Sequence, residues 1–378
     1  MDKVIYGCGS VGEGIFQECI KKNISIECFC DDEIGDNGRK LFGLEILTLK
    51  TIKNKYPDSE FFISIPTAHS IIDKLKRNGF NNWKLSCEIL DNTDYIDFSY
   101  TENKKIAISE IKECLTLHKY YDDPSKLLIR SLDLVITEKC SLKCSQCSNL
   151  IEHYENPKDF SYDEVILSLN KLLNHVNGIF ELRIIGGEPF MNREVYEIIE
   201  KLVDYNKIKR IIIFTNGTIL PPKDKWKYLK NEKITFFITD YGKLSKNLDK
   251  IREKLEHENI PYKIIKTDQW SPCVIKKHQR SDVELKEVYF QCCAKNLTTL
   301  LNSKLFKCPF IANLANLNLV KIDEEDFIDL DSLKQKDKTD SKKTLYDFLF
   351  KKSLFQSCDY CLGRLYNGKK IKAAVQLK

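Results

Sequence analysis

The chain has 378 residues, 42% of them hydrophobic and 30% charged, a composition that supports packed cores over a length suited to two or three domains. Lys and Arg number 60 against 55 Asp and Glu, and the resulting net charge of +5 is too mild to argue for nucleic acid; no apolar run approaches the length of a membrane span. Fifteen cysteines with no signal peptide ahead of them predict a cytoplasmic chain whose reduced thiols serve metal rather than disulfides.

The first strand-like run, residues 4–6, ends in Gly7-Cys8-Gly9-Ser10-Val11-Gly12, a G-x-G-x-x-G. Ser10 and Glu13 have capping-box spacing, and the helix they open would bury Val11, Ile15, Cys19 and Ile20. A second strand over 24–30 ends at Asp31-Asp32, where a dinucleotide fold meets ribose. Residues 60–65 read as a buried strand and 68–78 as a helix. The pattern predicts a Rossmann-like half-domain over 1–90, with about four strands against the six of a full dinucleotide domain. Gly7, Gly9 and Gly12 would let a phosphate approach the helix N-terminus, and Asp31 would meet the sugar. Two alternatives stand beside a nucleotide or nucleotide sugar: NAD, and a vestigial glycine turn that binds nothing. The glycine turn, Asp31-Asp32 and Gly43-Leu44-Glu45-Ile46 resemble the N-terminal domain of bacterial nucleotide-sugar acyltransferases, and that resemblance implies a nucleotide sugar. Residues 91–130 read as a connector: a polar stretch to 103, a helix over 106–117 and a break at Pro124. Cys87 and Cys114 read as core thiols.

From 131 to 291 strands and helices alternate. A strand over 132–137 leads to Cys140, Cys144 and Cys147, a C-x3-C-x2-C loop. Three thiolates on one loop can hold three irons of a cubane iron–sulfur cluster and leave the fourth iron open for chemistry. A zinc knot is the alternative; zinc ligands usually come as two pairs, and the nearby candidate for a fourth is His153. Ser161 and Glu164 repeat the capping-box spacing before a helix with Val165, Ile166, Leu169, Leu172, Leu173 and Val176 on one face. Strand 180–185 then ends in Gly186-Gly187-Glu188-Pro189, and a helix aligns Val195, Ile198, Ile199, Leu202 and Val203. Strand 210–214 ends in Thr215-Asn216-Gly217 and strand 234–239 in Asp240-Tyr241-Gly242; a charged helix over 243–258 precedes strand 262–265. This rhythm predicts an α/β fold with an open, parallel (β/α) partial barrel, whose site lies at the carboxyl ends of the strands.

The cysteine triplet and the GGEP sequence together resemble the signature of radical S-adenosylmethionine (SAM) enzymes, over roughly residues 130–370. The resemblance implies a partial (β/α)6 barrel with its sixth strand within 284–301, a [4Fe-4S] cluster on Cys140, Cys144 and Cys147, and SAM beside Gly186, Gly187, Glu188 and Pro189, with Thr215 and Asn216 near its ribose. One departure is visible: many members carry an aromatic residue before the third cysteine, and here it is Gln146.

The region 292–378 holds Cys358-Asp359-Tyr360-Cys361, a short chelating pair, and Cys308 after the strand-like Leu305-Phe306-Lys307. Cys292, Cys308, Cys358 and Cys361 resemble the auxiliary-cluster domain of the SPASM/twitch subgroup and imply one auxiliary [4Fe-4S] cluster; the adjacent Cys293 is equally available to sequence reasoning, and tetrahedral zinc is the alternative. The charged run 321–343 reads as a solvated insertion. The implied activity is reductive cleavage of SAM to a 5′-deoxyadenosyl radical and hydrogen abstraction from a carbohydrate-type, nucleotide-linked small molecule, ending in dehydrogenation, with flavodoxin or ferredoxin as electron donor. Arg280 and His278 are candidates for the base, and Cys273 or Cys293 for a hydrogen-returning thiol in an epimerase. Peptide modification and a non-enzymatic iron–sulfur or zinc protein complete the alternatives.

Overall fold

Alternating apolar strands and amphipathic helices build two units, residues 1–123 and 124–378. The structure is a computed structural model that describes residues 1–90, 104–335, 337–365 and 368–377. The polar part of the expected connector, 91–103, lies outside the described residues. No described helix is long and apolar enough to cross a membrane.

The first unit runs β1 (Lys3–Tyr6), α1 (Ser10–Lys21), β2 (Cys28–Cys30), β3 (Lys40–Leu41), β4 (Leu44–Leu47), α2 (Leu49–Lys55), β5 (Glu60–Ile63), α3 (Ala68–Arg77), β6 (Trp83–Leu85) and α4 (Lys104–Lys119). Its sheet has the order β3-β4-β2-β1-β5-β6, parallel throughout except for the β3–β4 hairpin. Five parallel strands therefore stand where about four were expected. The strands are buried on both faces, which is why β1 and β5 read as continuous apolar runs. Val4, Tyr6, Phe61 and Ile63 pack with α2 and α3, while Ile5, Phe29 and Phe62 pack with α1 and α4.

Two sequence expectations for α1 fail. Ile20 is 58% exposed, turned about 100° around the helix from the buried Cys19. The capping box at Ser10–Glu13 does not form: Gly9 is the N-cap, its carbonyl accepting the Glu13 amide at 3.0 Å, and the Ser10 hydroxyl donates to Glu110 instead. The second strand is also shorter than 24–30, since only Cys28–Cys30 pairs with β1. The helix expected in the connector is α4, and its Ala107, Ile111 and Cys114 complete the core of the first unit.

The second unit runs β7 (Leu128–Val135), α5 (Tyr162–Leu173), β8 (Gly178–Ile185), α6 (Val195–Val203), β9 (Ile208–Thr215), β10 (Ile234–Asp240), α7 (Leu248–His257), β11 (Tyr262–Lys266), β12 (Gln269–Trp270), α8 (Asp282–Gln291), β13 (Thr299–Leu301), β14 (Lys304–Phe306), α9 (Pro309–Asn316), β15 (Phe327–Asp329), α10 (Lys338–Tyr346) and β16 (Ile371–Lys372). Its main sheet has the order β11-β10-β9-β8-β7-β13-β14-β15. Strands β7 to β11 are mutually parallel, as strand–helix alternation requires, and form the partial barrel. The capping box of α5 forms, with Ser161 accepting from the Glu164 amide and Glu164 from the Ser161 amide.

The sixth parallel strand is β13, and it pairs with β7 rather than following β11 across the sheet. The first part of the expected range, 284–291, is helix α8. Asn302 and Ser303 both have positive φ, 51° and 58°, so a two-residue turn folds β14 back on β13. β15 then extends the sheet through β14, so the charged run 321–343 is not simply a solvated insertion: it carries an edge strand and the buried Asp326, Leu330 and Leu333. Alternating charge in the sequence hid these buried positions, and Ser341 with them.

Two lysines close helices on the barrel's outside. Lys207 Nζ donates to the carbonyls of Leu173 and Val176 at the end of α5, and Lys233 Nζ to those of Val203 and Tyr205 at the end of α6. A cation at carbonyls left open by a helix end is favourable on both hydrogen-bond and dipole grounds. Lys207→Met and Lys233→Met should each lower the unfolding free energy by roughly 0.5–1 kcal/mol, read as a lower urea midpoint at unchanged slope.

Candidate active site

The loop after β7 and the loop after β8 touch so closely that side chains are excluded between them. A Cβ on Gly186 would lie 2.3 Å from the Thr137 carbonyl oxygen; one on Gly187 would lie 2.2 Å from the Lys139 oxygen and 2.7 Å from Cys140 Cβ. Backbone bonds run along this contact, from the Gly187 amide to Thr137 O at 3.1 Å and from the Glu188 amide to Lys139 O at 2.8 Å. Asn149 Nδ2 donates to the Gly186 carbonyl at 2.6 Å, tying the far end of the cysteine loop to the same glycine pair.

Glu188 is wholly buried. Its carboxylate accepts from the Thr215 hydroxyl at 2.9 Å, the Asn216 amide at 2.8 Å and the Phe190 amide at 3.3 Å. Burial nevertheless dominates those donors and pushes its acid up to about 7. Asn216, oriented by this bond and by accepting from the Thr218 amide, places its Nδ2 3.2 Å from Ser141 Oγ and 3.5 Å from Cys140 Sγ.

Cys140, Cys144 and Cys147, with Gly187 and Asn216, line one cavity of about 180 Å³. Gly186, Glu188, Pro189 and Thr215 do not line it; Glu188 accepts from Thr215 and from the backbone of Asn216, which does. Burial raises all three thiols, Cys140 and Cys147 to about 12. Sequence reasoning missed part of the lining: Tyr241 from the loop after β10, Trp270 of β12 and Arg364. Gln146, at φ 57°, also faces the cavity, and its buried Oε1 has no partner among the described residues. Cys273, a sequence candidate, lines the cavity at 3% exposure.

The four later cysteines meet although they come from distant places in the chain. Cys292 ends α8, Cys308 is the N-cap of α9 directly after the β13–β14 hairpin, and Cys358 and Cys361 sit on one short turn. All four line a second, smaller cavity of about 30 Å³ that Cys293 does not line. Arg364 lines both cavities. Lys307, buried beside Cys308, donates to Leu349 O, and burial pushes its ammonium down to about 8. A lysine at a strand end carries no sequence signal for such a place. Among the described residues no three His, Cys, Asp or Glu groups converge on a position for a single ion.

Arg280 is placed away from the first cavity. Its Nη1 donates to the carbonyls of Cys358 and Cys361 at 3.1 and 2.9 Å, and its amide to Asp359, so it clamps the turn that carries those thiols. His278 does the same through its backbone, donating to Asp359 O. In the first unit Gly7 and Gly12 are required by packing: a Cβ on Gly7 would lie 2.5 Å from Ser64 Oγ, and one on Gly12 2.3 Å from the Gly7 oxygen. Gly9 caps α1 with open space around it. Asp31 is engaged by its own turn, accepting from the amides of Glu33 and Ile34 and from Cys8 Sγ.

Residues 134–254, from the end of β7 to within α7, match the family model of the radical SAM superfamily. That segment, about a third of the chain, holds the cysteine triplet, the glycine pair and Thr215-Asn216. A probable GTP 3′,8-cyclase of Methanococcus maripaludis (strain C6) is 38% identical over 92 residues, 24% of this chain and 30% of that protein. The GTP 3′,8-cyclase of Campylobacter jejuni subsp. doylei is 32% identical over 105 residues, 27% of this chain and 32% of that protein. The chain thus spans about a third or less of the length of these curated relatives. Among solved structures, BtrN in complex with AdoMet and 2-DOIA overlaps at a TM-score of 0.39 and 15% identity, covering 67% of this chain and 98% of that one. SuiB of Streptococcus suis bound to precursor peptide SuiA overlaps at 0.30 and 18%, covering 62% and 53%. The family implies a [4Fe-4S] cluster and SAM, and the donors fit them: three thiols from one loop face one cavity, with side-chain-free backbone at Gly187 on its wall.

Glu188 gives this site a pH signature. Folded, its acid titrates near 7; unfolded, near 4.5. Its contribution to stability is therefore fully present below pH 4.5 and is lost as pH rises to 7, by up to about 3 kcal/mol. Glu188→Gln should flatten that part of the pH profile in the metal-free chain, which urea unfolding at stepped pH would reveal.

Proposed function

We propose that this chain is a radical SAM oxidoreductase that removes hydrogen from a carbohydrate-type, nucleotide-linked small molecule and ends in dehydrogenation. The observation that carries the reading is the pair of cysteine cavities with a shared residue: three thiols line one, four line the other, and Arg364 belongs to both walls. Bound at Cys140, Cys144 and Cys147, a [4Fe-4S] cluster with SAM would supply a 5′-deoxyadenosyl radical able to take a hydrogen atom from an unactivated carbon. The Gly187 backbone and the Asn216 amide line the place where SAM would lie, and the buried Glu188 keeps both in position. Cys292, Cys308, Cys358 and Cys361 would hold an auxiliary [4Fe-4S] cluster, the electron acceptor that a dehydrogenation requires.

The nucleotide-linked substrate is supported by the first unit, where the glycine turn follows β1 at the carboxyl edge of a parallel sheet. Asp31 would have to leave its own turn to meet a ribose, so the glycine turn is the stronger part of that reading. Flavodoxin or ferredoxin would supply the electron. Epimerisation is the second reading, favoured by Cys273: a buried thiol on the wall of the first cavity could return a hydrogen atom.

Anaerobic reconstitution should give about eight irons per chain and, with dithionite and SAM, 5′-deoxyadenosine. Replacing Cys140, Cys144 or Cys147 by Ala should reduce that product to background. The double change Cys358→Ala, Cys361→Ala should keep 5′-deoxyadenosine and leave about four irons. Four irons in the unaltered chain would remove the auxiliary cluster, and zinc with no SAM cleavage would overturn the reading. Cys273→Ala separates the two outcomes, since an epimerase would lose hydrogen return while a dehydrogenase would keep its carbonyl product.

A further inference from the structure

Residues 371–377 run from a small sheet back to the first cysteine loop. β16 pairs antiparallel with β12, Trp270 facing Ile371 and Gln269 facing Lys372, and the Ala373 amide adds a bond to Asp268 O at 2.9 Å. Ala374 then turns the chain at φ 53°, a left-handed conformation that a Cβ-bearing residue adopts only at a cost. Beyond the turn the chain lies along the cysteine loop: Ser145 N–H donates to Val375 O at 2.7 Å, Leu377 N–H to Lys143 O at 2.8 Å, and Cys144 and Gln376 form an antiparallel bridge.

The Gln376 side chain completes the contact. Its Oε1 accepts from the Lys143 amide at 3.0 Å, which fixes which end of the amide is oxygen. Its Nε2 is thereby directed to two acceptors, Ala374 O at 2.9 Å and Cys144 Sγ at 3.0 Å. Among the three loop thiols, Cys140 receives its bonds from the Leu142 amide and Asn216, groups of the barrel. Cys144 receives its bond from residue 376, more than two hundred positions away.

We infer that residues 374–377 are a strap that fixes the Cys144 arm of the loop, and that Gln376 is a positioning residue whose N–H···S bond sets the electron affinity of the metal group held there. The inference rests on the radical SAM reading for the identity of that group. Hydrogen bonds to a ligating sulfur stabilise the more negative, reduced state and so raise the reduction potential; they also hold the ligand's orientation. β12, at the other end of the strap, carries Trp270 on the cavity wall, so one segment supports the loop and the facing wall together.

The test uses the full chain, reconstituted anaerobically. Its SAM-responsive cluster is titrated by electron paramagnetic resonance, SAM being the probe that assigns the signal. Gln376→Ala and Gln376→Glu should both shift the midpoint to more negative potential, the second because a carboxylate cannot donate to sulfur. Leu377→Pro, which removes a strap amide but not the Gln376 amide, should speed iron release to a chelator with a smaller shift. An unchanged midpoint and unchanged release in Gln376→Ala would overturn the inference. Hydrogen exchange of the metal-free chain separates this from failure of the functional reading: the Ser145 and Leu377 amides should be protected in the unaltered chain, and Ser145 exposed in Leu377→Pro. Rapid exchange of both amides in the unaltered chain would sink the strap whatever metal is bound.

Discussion

Glu188 joins the ends of three neighbouring strands. Its amide donates to Lys139 beyond β7, it belongs to the loop that follows β8, and its carboxylate takes the Thr215 hydroxyl and the Asn216 amide at the end of β9. A carboxylate with no exposure is expensive to bury, and three donors converge on it in return. The glycine pair beside it makes the same junction possible sterically, because no Cβ fits between the two loops. The position of Cys140 follows from that packing, and Asn216 reaches Cys140 and Ser141 only because Glu188 holds its backbone.

The second cavity rests on a different device. Two left-handed residues, Asn302 and Ser303, fold β14 onto β13, and β13 is fastened to β7 by parallel pairing. Cys308 thus follows a strand built onto the barrel's own sheet, and Arg280 and Asp359 close the turn that carries Cys358 and Cys361. The two sets of thiols belong to one unit with a residue, Arg364, common to both cavity walls. Arg364 places a fixed positive charge beside Cys308 and Cys361, where it opposes the larger upward push of burial on their thiols.

Much of this was legible beforehand where a local rule operates. Strands β7 to β10, helices α5 and α6 and the box at Ser161–Glu164 follow from apolar periodicity and cap chemistry within a dozen residues. The cysteine spacing and the double glycine were visible for the same reason. Where the outcome depended on competition, local rules misled. Ser10 and Glu13 have the spacing of a capping box, yet the tight turn that brings Gly12 against Gly7 puts Gly9 at the cap. Arg280, a candidate base from sequence, is bonded to a turn, because the free carbonyls of that turn lie within its reach.

Local order in the chain is enough to specify the parallel strand–helix repeat and the three-thiol loop, since residues that cooperate there are neighbours in sequence. Long-range order is not written that way. That β13 chooses β7, that Cys292 rather than Cys293 faces the second cavity, and that Gln376 returns to Cys144 depend on contacts between surfaces distant in the chain. The last of these joins positions 232 residues apart, and the free energy of such contacts comes from burial and hydrogen bonds that exist only after folding has brought both partners together.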